Sequence, residues 1–322
     1  MKKFHIQRFS TLYKRAWDDF VSKAEVHSIL FYRDYMEYHK DRFEDYSLMI
    51  FQEDKLVAIF PANLRPNGEV HTHQGLSYGG LIFEKHTYFK SRVNIYELVL
   101  RYFLINNVKG IYLRSVPLCY VDDNSHAIIL DWIGAANIRN DIYSYIPKGA
   151  YVGSNKDRKK YLKKAIKNDF KFKESNDYDF FWDRILIPNL KKRHNTQPVH
   201  SALEIKNLKN KFPDSIKLFG VFSNTKMRAG VVVFVHRDVA HTQYISADEQ
   251  RSDGSLDYLI DNVIKKYNET KSFSFGTSSE NMGGNINEGL LYWKESFRSL
   301  NTVQSFYAIP TANHFKLNNR LV

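Results

Sequence analysis

Cysteine is almost missing from this chain: among 322 residues there is one, Cys119. A single thiol excludes an intramolecular disulfide and a cysteine-based zinc cluster. Long apolar runs are missing as well. No stretch approaches eighteen consecutive apolar residues, so no membrane-spanning helix is expected. The opening residues, Met1-Lys2-Lys3-Phe4-His5, carry charge with no apolar stretch behind them, which predicts no signal peptide and a cytoplasmic protein. Low-complexity tracts, long Gly/Ser linkers and sustained heptads are also lacking. What remains is a folded chain of two-domain length, 43% hydrophobic and 15% aromatic.

The formal net charge is +12. Much of it sits between Lys156 and Lys173, where nine Lys or Arg residues face only Asp157 and Asp169. Tyr161, Leu162, Ala165 and Ile166 recur there at helical spacing, so a basic connecting helix is expected over 155–173, packed on one face. Its charged face reads as a solvated surface, as a rim attracting a phosphate-bearing substrate, or as a nucleic-acid surface. No zinc-finger spacing or RNP-like aromatic motif supports the last, so nucleic acid is not an expected partner.

The chain repeats itself. Ser47 to Phe60 reads as strand, polar turn at Glu53-Asp54-Lys55, and strand; Lys217 to Val235 does the same around Asn224-Thr225-Lys226. A third strand follows in each, Val70-His71-Thr72-His73-Gln74 against Val239-Ala240-His241-Thr242-Gln243. Amphipathic helices come next, near Phe89 to Ile105 and from about Ser255 to Tyr267, each followed by a Lys-led strand at Lys109 and Lys271. The order β-β-β-α-β therefore occurs twice. It predicts an α/β (α+β) protein of two tandem domains, 1–150 and 151–322, each a mixed, mostly antiparallel sheet with packed helices.

In the second copy the chain reads Ser246-Ala247-Asp248-Glu249-Gln250-Arg251-Ser252-Asp253-Gly254-Ser255 before its helix. Such a turn either offers unpaired backbone N–H groups to a pyrophosphate, with Arg251 adding charge, or is an ordinary strand-to-helix turn capped by Asp253. In the first copy that place holds Gly75-Leu76-Ser77-Tyr78-Gly79-Gly80, which reads equally as close approach to a substrate or as a tight turn.

Arg251 and Gly254 resemble the coenzyme A-binding loop of GCN5-related N-acetyltransferases (GNATs), with Leu256 departing from its pattern. Tyr292-Trp293-Lys294-Glu295-Ser296-Phe297 resembles the final helix of that superfamily, Ser296 standing for its glycine. The duplicated unit, the basic connecting helix and this ending resemble the tandem branch. That branch includes Fem-type aminoacyltransferases and acyltransferases of bacterial surface-polysaccharide pathways. Arg193-His194-Asn195-Thr196-Gln197-Pro198-Val199-His200 resembles the latter group. The likeness implies an acyl-CoA-dependent N-acyltransferase whose acceptor is a nucleotide-linked amino sugar. Lacking the coiled-coil arm of some Fem-type enzymes, the chain is expected to use a thioester and not aminoacyl-tRNA.

The donor is then expected on Ile245, Ser246, Ala247, Arg251, Ser252, Asp253, Gly254, Ser255 and Lys294. A backbone N–H near Ile245 to Ala247 would polarise the thioester carbonyl. His200, then Glu280, is the expected base for the amine, and the resemblance makes Tyr292 the acid for the leaving thiolate; Tyr292 also reads as a packed aromatic. Acceptor contacts are expected from Gln74, Tyr78, Gly79, Arg158, Lys191, Arg193, His194 and Asn195. The pairs His71/His73 and His194/His200 lack a third ligand, so no metal is expected. Cys119 as a nucleophile, or Ser77 in a hydrolase elbow, has less behind it. The rivals are a Fem-type aminoacyl-tRNA-dependent transferase acting on a peptidoglycan precursor and a basic non-catalytic RNA- or membrane-surface-binding protein.

Overall fold

The computed structural model describes residues 3–249 and 251–321; the side chains of His39, His194 and Arg251 lie outside that description. Two compact units emerge, Met1–Asp141 with Val303–Val322, and Ile142–Thr302.

The first unit opens with β1 (Phe4–Arg8) and α1 (Lys14–Lys23), then β2 (Leu48–Gln52) and β3 (Lys55–Phe60). Short strands β4 (Asn63–Leu64), β5 (Val70–His71) and β6 (Ile82–Phe83) precede α2 (Phe89–Ile105) and β7 (Gly110–Arg114). Strands β1, β2, β3 and β6 form one antiparallel sheet. The third strand expected over Val70–Gln74 shrinks to two residues, because His73 takes a left-handed φ of 43° and turns the chain.

The chain continues through β8 (Ala136–Pro147), α3 (Lys156–Lys167), β9 (Lys171–Ser175), α4 (Ile187–His194) and α5 (Ala202–Lys211). The basic helix is shorter than the expected 155–173. Asn168 caps it, Asp169 adopts a φ of 51°, and the alternating Lys171-Phe172-Lys173 becomes β9, an edge strand on the next sheet. That sheet holds β10 (Ile216–Ser223), β11 (Lys226–His236) and β12 (Val239–Ala247); α6 (Ser255–Lys266) crosses over to β13 (Ser272–Thr277). Then come α7 (Glu288–Glu295) and β14 (Leu300–Pro310).

The duplication is visible to the residue. Both first hairpins turn on a left-handed non-glycine, Glu53 at φ 54° and Asn224 at φ 53°. Both then slip register at the same place, between Ile50 and Phe51 and between Val221 and Phe222. The bulged residues are Val57 and Arg228. In each unit the helix-fed strand pairs in parallel with the third strand, β7 with β5 and β13 with β12.

The outer partner of each helix-fed strand comes from the other end of the chain. Strand β13 pairs antiparallel with Tyr143–Pro147 of β8, which follows the first copy. Strand β7 pairs with Phe306–Pro310 of β14, which follows the second. The last twenty residues thus belong to the first unit, in contrast to a second domain running 151–322. Hydrogen-bonding demand explains this: a buried strand needs a ladder on both edges, whichever segment supplies it.

Each unit has its own core. Val93, Val99, Leu100 and Phe103 of α2 pack on Leu48, Ile50, Ala58 and Phe60. In the second, Leu259, Ile260, Val263 and Ile264 of α6 pack on Phe219, Val221, Val231 and Val233. Full burial of such side chains contributes about 1.5–3 kcal/mol each. Phe181–Leu186 winds as a π-helix, and a Cβ on Gly230 would lie 2.5 Å from the Phe181 ring, so a glycine is needed there.

Candidate functional site

A fork opens in the second sheet. Strands β12 and β13 pair over three residues only, ending at His241 opposite Ser274; β12 then runs on to Ala247 and β13 to Thr277 without pairing each other. A bulge in β12, where Val232 and Val233 face Tyr244 and Thr242, bends it at that point. The matching seam of the first unit is stitched shut. Thr72 N–H donates to the Tyr112 carbonyl at 3.0 Å, and Gly79 N–H donates to the Arg114 carbonyl at 2.8 Å. The Arg114 N–H also donates to Thr72 Oγ1 at 2.9 Å. Only the second copy keeps the opening.

Lys294 sits at the fork. Helix α7 buries it to 2% exposure, and its Nζ donates to the carbonyls of Gly276 at 2.9 Å and Thr277 at 2.6 Å. Burial pushes its pKa down to about 7, so the amine is poised between charged and neutral near physiological pH. Beside it His241 shares a hydrogen bond with Ser274 Oγ at 3.0 Å and stacks on Tyr143. Burial, helped by the Lys294 charge, lowers His241 to about 4. Gly276, at φ 74°, lets the backbone pass the His241 ring, where a Cβ would lie 3.1 Å from Cε1. Of this cluster only Lys294 was expected. Gly276 interrupting the alternation of Ser272-Phe273-Ser274-Phe275 was the available signal for the others.

The Gly254 turn is closed. Gly254 has φ 90°, and a Cβ there would meet the Tyr161 carbonyl oxygen of α3 at 2.1 Å. Asp253, one residue before the Gly254 N-cap of α6, accepts from the Ser255 N–H at 2.8 Å, while its other oxygen pairs with Arg228 at 2.9 Å. Arg228 also holds Asp248 at 2.8 Å. Lys164 and Asn168 donate to the carbonyls of Ser252 and Asp253, each at 3.2 Å. The backbone of α3 thus packs closely against Gly254 on the described side of this turn. Arg251 lies outside the described side chains. Ser246 is turned to the connecting segment, bonding Asn189 at 2.6 Å and the Ile185 carbonyl at 3.3 Å; Ile245 and Ala247 pack with the α6 core.

The remaining expected residues scatter. Tyr292 is half-exposed, its hydroxyl donating to Asp157 at 2.6 Å, and that carboxylate raises its pKa. Two residues along a helix are about 200° apart, so Tyr292 and Lys294 face opposite ways. Tyr292→Phe should accordingly leave transfer rates within about threefold in a steady-state assay, whereas loss of a true acid costs roughly a hundredfold or more. His200 is buried behind Tyr244, with Nδ1 and the hydroxyl 2.6 Å apart, and its carbonyl accepts from Trp182. Glu280 is exposed and accepts from Asn287 at 2.7 Å. Arg158 is taken by Asp257 at 2.9 Å. Lys191, Arg193 and Asn195 gather at the solvent end of α4, which Asn195 terminates at φ 48°; the His194 side chain is not described.

In the first unit, Gln74 exchanges hydrogen bonds with Asn63. Tyr78 is a core residue, 2% exposed, bonded to Ser28 and packed on Phe31 and Tyr120. Gly79 presses on Thr72, whose carbonyl oxygen would lie 3.1 Å from a Cβ. The outer face of α3 is a groove lined by Lys156, Lys159, Lys160, Lys163, Lys164 and Lys167. Among the described residues no group of three or more His, Cys, Asp and Glu side chains could hold a metal ion, and no helix is long and apolar enough to cross a membrane.

No family profile and no curated protein matches the sequence. Solved structures do match. FemX superposes over 98% of this chain and 99% of its own, with TM-score 0.69 and 9% identity. The chain has the tandem GNAT-like fold. L-PGS from Bacillus licheniformis shares it at TM-score 0.57, 9% identity and coverage of 96% and 95%. So does a tandem GNAT protein from the clavulanic acid biosynthesis pathway, at 0.52, 8% identity, and 96% and 99%. The tandem GNAT-like fold that the resemblance implies is thereby met. Its β12–β13 fork is where Lys294 stands.

Proposed function

We propose that this chain is an N-acyltransferase that works at the β12–β13 fork of its second unit, with Lys294 as the proton-transfer group. The buried Lys294 amine carries the reading. In its neutral form it donates two N–H groups to the Gly276 and Thr277 carbonyls, which aims its lone pair elsewhere. An acceptor amine attacks the activated acyl carbon; the new N–C bond forms as the carbonyl electrons move to oxygen. Lys294 takes the proton from the attacking nitrogen and returns it to the leaving atom as the carrier bond breaks. Alignment of the two reactants supplies much of the rest.

The carrier has two readings. An acyl-CoA thioester would set its pyrophosphate at the turn before α6, where the Tyr161 carbonyl of α3 already packs against Gly254. An aminoacyl-RNA donor, as in Fem-type transfer, is favoured by the six lysines on α3, which offer phosphates a cationic surface with no carboxylate among its lining residues. For the acceptor, the amino group of a nucleotide-linked amino sugar is the specific substrate proposed; an amine on a peptidoglycan precursor is its rival.

A donor assay separates the carriers. Radiolabelled acyl transfer should proceed from aminoacyl-tRNA and not from acetyl-CoA, and tRNA affinity should fall steeply with salt. Changing Lys160, Lys163 and Lys167 together to Gln should lower the magnitude of the salt slope by about 2–3. Transfer from acetyl-CoA with no response to tRNA would restore the thioester reading. Transfer from neither carrier to any amine would end the acyltransferase proposal.

A further inference from the structure

The first unit carries an arginine whose charge is not matched by its surroundings. Arg114 ends β7 and Phe306 of β14 lies directly across the ladder. Arg139 of β8 approaches the same ring, the two guanidinium carbons standing 5.4 Å and 4.4 Å from its centroid. Asp141, 2% exposed, is already engaged by Arg139 through two hydrogen bonds of 2.8 Å and 2.6 Å. Arg114 donates one N–H to the Leu76 carbonyl at 2.8 Å, and among the described residues no carboxylate lies within ion-pair distance of it. Two guanidinium groups therefore share one carboxylate in a half-buried setting.

Two partly desolvated cations sharing one carboxylate are costly, because Asp141 is hydrogen-bonded by Arg139 and acts on Arg114 only through space. Burial first, and then the neighbouring Arg139 charge, push Arg114 below its ordinary pKa against the opposing pull of Asp141. Rigid support surrounds the pair. Gln304, 4% exposed, donates to the Ser77 and Ser115 carbonyls at 2.9 Å and 3.0 Å, tying the residue after Arg114 to the residue after its Leu76 acceptor.

The geometry points to a phosphate-binding site formed by Arg114 and Arg139 beside Phe306. Guanidinium forks match the oxygens of a phosphate, and a diphosphate brings enough negative charge to satisfy both. Neither arginine belongs to the fork that holds Lys294. Treating this phosphate as the diphosphate of the acceptor rests on the acyltransferase reading; the binding itself does not.

The test uses the full chain with no donor present. Inorganic pyrophosphate and uridine diphosphate are titrated in separate calorimetric arms, with succinate as a carboxylate control. Binding of pyrophosphate and the nucleotide but not succinate is expected, and tighter binding of the nucleotide would make it the source of the phosphates. Arg114→Gln should weaken binding on the order of tenfold or more while the protein stays folded. Arg114→Lys keeps the charge but loses the fork, and should be intermediate. Equal binding by the parent and both variants, or no binding at millimolar pyrophosphate, would overturn the site. Phosphate binding without acyl transfer would leave this site standing and remove the function proposed above, so the two failures are distinct.

Discussion

Replacing Lys294 with Met is expected to reduce acyl transfer by about 10²–10⁴-fold while leaving a folded protein, because methionine fills the same space without a titratable amine. The substitution also removes a pH dependence of stability. In the folded chain burial holds Lys294 at about 7, against 10.5 for an ordinary lysine. Between those values the unfolded chain binds the additional proton and the folded chain does not. The parent protein should therefore gain stability over that window as pH rises, by up to about 1.4 kcal/mol per pH unit. Below 7 the cost of burying the charge is fully present; above 10.5 it is gone. Urea unfolding of parent and Lys294→Met across pH 6.5–9 reads this directly, since the two chains differ only in that amine. A rate within threefold of the parent, or parallel stability curves, would remove Lys294 from the chemistry.

Gly254→Ala should be the most damaging glycine substitution in the second unit. Its Cβ would arrive 2.1 Å from the Tyr161 carbonyl oxygen, a backbone atom that cannot swing away, at a φ of 90°. The left-handed conformation alone costs roughly 1–2 kcal/mol for a non-glycine residue. Displacing α3 adds to that, and a loss on the order of 3–5 kcal/mol is expected. Gly68 provides the control: it has φ 80° but nothing within 4 Å, so Gly68→Ala should show the conformational cost by itself. Denaturant titration of both variants measures the difference. If the two lose the same amount, α3 does not press on the turn and room for a ligand's pyrophosphate returns.

The sequence was most informative where neighbours along the chain decide the outcome. The helix Phe89–Ile105 appears with the limits its apolar spacing predicted, and α6 within a residue of its expected end. The turns at Glu53 and Asn224 were legible from their polar residues, and the β-β-β-α-β order survives in both copies. What could not be read depends on residues distant in sequence. Gly254 announces a left-handed turn, but nothing nearby says that Tyr161 stands opposite it. Arg228 occupies a bulge and pairs with Asp248 and Asp253, partners twenty and more residues away that the repeat does not announce. Tyr78 and Gly79 suggested a ligand loop, yet both are buried, Tyr78 against Ser28, Phe31 and Tyr120. Lys294 was singled out, but its buried neighbours at the fork belong to strands whose alternation hides which face is open.

The exchange of outer strands also shapes how the protein must be made. As the chain leaves the ribosome, the first copy is complete in sequence well before Val303–Pro310 exists, so β7 waits with one edge bare. Bare edges invite pairing with other chains, and long-range strand closure is slow. Translation must therefore pass Pro310 before the earlier half can seal. Severing the gene between the copies would yield two fragments that each hold a strand the other requires.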